Sequence, residues 1–122
     1  MEDMIARLVL LIVMVAAGVL LIWSARAAAS GKLKRNQIAG IRTARTLASD
    51  AAWQTAHVRA ERPTVLAGIV GIATGLTALL PVRVEAVGIA VLSGAAVMLT
   101  LVLYGAAAGH RAAGQVPPDA DD

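Results

Sequence analysis

This sequence predicts an all-α membrane protein with three transmembrane helices and a short interfacial amphipathic helix between the first and second. Three observations carry the prediction. The 122 residues are 58% apolar with a mean hydropathy of +0.73, oilier than an ordinary soluble domain. The apolar residues gather into long runs at 8–23, 64–80 and 86–108. A single polar interval, 30–62, separates the first run from the second and holds most of the basic side chains. One membrane domain over 1–109 is expected, followed by a tail at 110–122.

The first span is placed at about 4–29, because the run 8–23 with its apolar flanks reaches the roughly 20 residues that cross a bilayer. A cleavable secretory leader is the competing reading, since Ala25-Arg26-Ala27 has the look of a cleavage site. Glu2, Asp3 and Arg7 do not make a basic leader, however, and the basic residues follow the run, so an uncleaved helix is expected. The second span is placed at 63–81. Pro63 suits the first turn of a helix, where its missing N–H would be unpaired anyway, and Pro81 ends the run. The third span, 85–108, follows so closely that the two form an antiparallel hairpin. Gly71 with Gly75, and Ala90 with Gly94, are small-xxx-small pairs that let helices approach closely in lipid. The tail, with Pro117-Pro118 and Asp119, Asp121 and Asp122, has no apolar periodicity and is expected to be disordered.

Orientation follows from charge. Arg26, Lys32, Lys34, Arg35, Arg42, Arg45, Arg59 and Arg62 lie in or beside the polar interval, against Arg7, Arg83 and Arg111 elsewhere. The positive-inside rule makes that interval cytoplasmic. The N-terminus and the hairpin turn are then outside and the C-terminus inside.

Within the interval, Ser30-Gly31 breaks the first helix, and Lys32, Lys34 and Arg35 form a basic cluster at the membrane exit. Such a cluster fixes topology and meets headgroups, at about 1 kcal/mol per basic residue near anionic lipid. Ser49 is a candidate N-cap and Asp50 would sit near the positive end of the helix dipole, so a helix is expected over 50–61. Its Trp53, Ala56, His57 and Ala60 share one face, as suits a helix lying along the interface.

Composition excludes several chemistries. The chain has no Cys, which removes disulfides, thiolate metal sites and thiol nucleophiles. Trp23, Trp53 and Tyr104 are too few to stack nucleic-acid bases, so the net charge of +3 is not a nucleic-acid signal. Ser49 and Asp50 are adjacent and His57 lies two turns on, so one helix cannot assemble them into a triad. His57 has only Asp50 nearby and His110 is isolated, which is too little for a metal site. The three runs contain no ionisable side chain of the kind a coupled carrier uses. No catalytic residue, metal or cofactor is expected. Arg42 and Arg45, with the hydroxyls of Thr43 and Thr46, are the anion candidates. They have two open readings: docking of a phosphate, carboxylate or acidic partner, and snorkelling to lipid headgroups.

Asn36, then Gly40-Ile41-Arg42-Thr43, then Thr46-Leu47, Ser49, Trp53 and Ala56-His57 resemble the signature of the SdpI/YfhL family of small bacterial membrane proteins. In that signature an Asn precedes a Gly-Ile-Arg-Thr run, a Thr or Ser with an aliphatic neighbour, and a Trp followed by Ala or Gly and then His or Asn. The family's namesake is an immunity protein against a secreted peptide toxin, and it also signals by holding a soluble repressor at the membrane. It carries further spans ahead of this module, and Val58 stands here where the pattern leads to a basic residue directly. The resemblance implies a bacterial plasma-membrane protein in which Asn36, Gly40, Ile41, Arg42, Thr43, Arg45, Thr46, Ser49, Trp53 and His57 serve a partner site.

The expected function is binding through 36–61, as toxin immunity factor or signal receptor, with no enzymatic activity. The alternative is an accessory subunit of a larger membrane complex, packing through Gly71, Gly75, Ala90 and Gly94. Expected partners are membrane lipid and a cytoplasmic protein or peptide toxin. Homo-oligomers fit the small-residue faces, and nucleic acid is not expected.

Overall fold

A computed structural model describes residues 1–36 and 38–117. Three helices dominate: α1, Glu2–Ala29; α2, Asp50–Leu76; and α3, Val84–Ala113. Short 3₁₀ turns at Thr46–Ala48 and Thr77–Leu79 precede and follow α2. All three helices are long and apolar enough to cross a membrane. Their outer faces show Leu8, Ile12, Leu20, Leu66, Ile69, Ile89, Leu92 and Leu99 to the surroundings, a surface that suits lipid and not water.

The expected separate interfacial helix is absent among the described residues. Its residues are the first half of α2, which runs unbroken from Asp50 through Pro63 to Leu76. Pro63 therefore lies inside a helix and does not start one. The ring is accommodated because α3 presents Gly105 to it, where a Cβ would come within 3.3 Å of Pro63 Cγ. Packing against a neighbouring helix in this way is how membrane helices tolerate a proline that would end an isolated one.

The order of packing is α1, α2, α3, with α2 in the middle and only slight contact between α1 and α3. Small residues set how close the helices come. Gly18 of α1 and Gly68 of α2 bring their backbones together, a Cβ on Gly68 lying 2.6 Å from Gly18 O. Gly71 fits between Met98 and Gly18, Gly75 lies against Met14 and Leu11, and Gly94 receives Thr74. Ala90 is half-buried on α3. Met14, Ala67 and Met98 form the core at mid-bundle, with Ala17, Leu21, Val70, Val91 and Val102 around it.

Each end of the bundle is tied by polar contacts. At one end the Arg7 guanidinium donates to the carbonyls of Ala78 and Leu80, each at 3.2 Å, and to that of Val82. These carbonyls follow the C-terminal end of α2, where a cation is electrostatically favoured. At the other end α3 continues past the expected boundary through His110, Arg111, Ala112 and Ala113. Basic residues in its last turn complement the dipole, and Ala113 packs into a second apolar cluster with Ala52 and Ala56 of α2. The acidic residues Asp119, Asp121 and Asp122 lie outside the described residues.

Candidate functional site

The polar loop between α1 and α2 is built from local hydrogen bonds. The chain leaves α1 at Gly31, whose φ of +88° is a left-handed value favouring glycine, and Leu33 N–H returns to Ala27 O at 2.8 Å. Asn36 then organises a turn of its own. Its Oδ1 accepts from the backbone N–H groups of Ile38 and Ala39, both at 2.8 Å, while Nδ2 donates to Lys34 O at 2.7 Å. Arg35 spans the loop, donating to Leu47 O and pairing with Asp50 at 3.2 Å.

The centre of the loop is held by α2. Ser49 is the N-cap, its hydroxyl accepting Ala52 N–H at 2.9 Å. One turn later Trp53 is almost completely buried, and its indole N–H donates to Leu33 O at 3.0 Å. Trp53 and His57 lie ring against ring, with centroids 4.2 Å apart. His57 Nε2 accepts the Ile41 backbone N–H at 2.9 Å, which puts the proton of the neutral ring on Nδ1, where it donates to Trp53 O at 2.8 Å. Both ring nitrogens are thus engaged inside the protein. Gly40, at φ +93°, lies flat over this pair, and a Cβ there would sit 2.8 Å from both His57 Nε2 and the Trp53 ring.

Thr46 closes the turn. Fully buried, its hydroxyl donates to Ile41 O at 2.7 Å and accepts Thr43 N–H at 2.9 Å, while Thr43 Oγ1 accepts Thr46 N–H at 3.2 Å. The far end of the chain joins here. His110 Nδ1 is 2.8 Å from Thr43 Oγ1, and Gly109 leaves room for the Ile41 side chain and the Ala56 carbonyl. His110 was legible in the sequence only as an isolated histidine. A usable cue is the Gly105/Gly109 pair just before it, which marks a close-packing face of α3.

The residues singled out from the sequence therefore divide. Ser49, Thr46, Trp53 and His57 are buried and, with Asn36 and Gly40, shape the loop from within. Arg42 and Arg45 are exposed and Thr43 is half-buried. Arg45 lies over Gly114, beside the negative C-terminal end of α3. Arg42 has no hydrogen bond or ion pair to the described residues. It stands with Ile41 and His57 at a cavity of about 380 Å³ that all three helices share. The glycines of the small-xxx-small pairs, Gly71, Gly75 and Gly94, are turned towards helices of this same chain.

The sequence profile of the SdpI/YfhL protein family matches residues 32–109. No curated protein and no solved structure matches the chain. The matched region takes in the loop from Lys32 onward, the helix that carries Trp53 and His57, and nearly all of α3, which is well over half of the sequence. The chain belongs to the SdpI/YfhL family.

Proposed function

We propose that this is a multi-pass protein of the bacterial plasma membrane that acts by binding, as a toxin immunity factor or a signal receptor, with the loop and C-terminus cytoplasmic. The observation that carries the reading is the division of the loop. Asn36, Thr46, Ser49, Trp53 and His57 fix its backbone internally, and Arg42 is left outward with no partner among the described residues. A surface ordered in advance loses less conformational entropy on binding, so the arrangement favours recognition of an acidic or phosphate-bearing group. The accessory-subunit alternative has less support, because Gly71, Gly75 and Gly94 already pack within the bundle.

Ala44 is exposed between the two arginines and is the place for a probe. A photoreactive residue there, in cells, is expected to give a discrete protein or peptide adduct that Arg42→Glu abolishes while membrane insertion is retained. A soluble protein adduct would identify a receptor and a secreted peptide an immunity factor. Adducts to lipid alone would overturn the reading.

A further inference from the structure

The cavity beneath the loop lies at a defined depth. On α1 it is lined by Leu21 and Ala25, where the apolar run ends; on α2 by Thr64, where the second run begins; on α3 by Val102 and Ala106. Trp23 and Tyr104, from the same turns of α1 and α3, are strongly exposed, as the aromatic residues of an interfacial belt are. The cavity therefore sits where hydrocarbon gives way to headgroups, lined by all three helices, with α1 and α3 in only slight contact with each other.

Its chemistry is one-sided. The walls from the helices are mostly apolar, and the Ser24 hydroxyl at the edge is turned back to Leu21 O at 3.2 Å. His57 offers no free nitrogen, since Ile41 N–H and Trp53 O take both. The remaining charge at the cavity is the Arg42 guanidinium, exposed and unpaired among the described residues. At about 380 Å³ the space is within the range of small-molecule sites. A largely apolar space gives water few partners and suits a hydrocarbon chain instead.

We infer that this cavity is a lipid site, holding the upper part of one acyl chain of an anionic phospholipid whose phosphate is bound by Arg42. Apolar walls take the chain, and the guanidinium takes the phosphate in a charge-assisted, forked contact. This lipid site goes beyond the partner reading and draws on the same Arg42 guanidinium, so a lipid phosphate and a partner's acidic group are competing occupants there.

Native mass spectrometry of the full chain in detergent tests it, with phosphatidylglycerol and phosphatidylcholine supplied in equal amounts. Wild type is expected to retain one phosphatidylglycerol in about fivefold preference, the scale set by one basic residue near anionic lipid. Arg42→Gln should abolish the preference and Arg42→Lys should keep most of it. Ala106→Phe fills the cavity and should remove retention of both lipids, with far-UV circular dichroism confirming an intact fold. Arg42→Gln removes no internal contact, so it carries the test should Ala106→Phe fail to fold. Equal retention of the two lipids by wild type, a preference unchanged in Arg42→Gln, or a co-purified peptide occupying the site in place of lipid would each overturn the proposal.

Discussion

Gly40 is the residue on which the loop's shape depends. It combines a φ of +93° with a close approach to Trp53 and His57, and both neighbours are buried and cannot easily move. A left-handed conformation costs a non-glycine residue roughly 1–2 kcal/mol before any clash is counted. Gly40→Ala should therefore destabilise the loop by about 2 kcal/mol or more by breaking the Ile41 N–H to His57 bond. Hydrogen exchange measures this directly: the Ile41 amide should lose at least about tenfold of its protection, one decade per 1.4 kcal/mol. Wild-type protection in the variant would show that the ring pair does not hold the loop. At this scale the sequence was partly legible. Ser49 could be recognised as a cap because its partner, Ala52, is in the same turn. Trp53 and His57 could be placed on one helix face, but their direction could not be read, because Leu33 O and Ile41 N–H are brought to them by the folded loop. Trp53, expected on the face of a helix lying along the interface, is instead almost completely buried.

Among the elements, α2 is the one against which the others are arranged, and its glycines differ in what they touch. Gly18 and Gly68 meet backbone to backbone, whereas Gly71 faces the flexible tip of Met98, and Gly88 on α3 faces open space. Backbone cannot yield to a new methyl group as a methionine tip can. The expected order of damage is thus Gly68→Ala greatest, Gly71→Ala smaller, and Gly88→Ala neutral or stabilising by up to about 1 kcal/mol through helix propensity. Thermal unfolding in one detergent, with all three variants side by side, checks the order. A Gly88→Ala variant as damaging as Gly68→Ala would refute the packing described. The element boundaries show where sequence reasoning stops. Three long apolar helices are legible from the apolar runs alone, yet the helix expected to start at Pro63 runs through it, because proline's local preference is blind to Gly105, a residue 42 positions away that makes room for the ring. The helix α3 runs on beyond the expected span for a similar reason. His110 and Ala113 are held helical by Thr43, Ala52 and Ala56, contacts that no local pattern announces.

The whole molecule has two polar ends that the helices keep apart, and this makes topology a single question. Arg7 binds the carbonyls of the α2–α3 turn, so the N-terminus and that turn share a side. His110 binds Thr43, so the loop and the C-terminal end of α3 share the other. The structure links the segments in pairs, and charge then assigns the sides. Of the eleven Lys and Arg residues, all but Arg7, Arg83 and Arg111 lie in or beside the loop, and Arg111 is at that same end. A rule based on basic residues in short loops therefore predicts the cytoplasmic loop proposed above. The chain lacks Cys, so single cysteines report cleanly. Val82 in the hairpin turn and Ala48 in the loop are both exposed, and Val82→Cys and Ala48→Cys are surface changes expected to cost under about 0.5 kcal/mol. In intact cells an impermeant maleimide should label Val82→Cys and leave Ala48→Cys unlabelled until the membrane is opened. The reverse pattern would invert the protein and put Arg42 on the outer surface, where a secreted peptide could reach it and a cytoplasmic protein could not. Labelling at both positions in intact cells would mean that the two ends are not separated by a bilayer, and the three-span reading would fail.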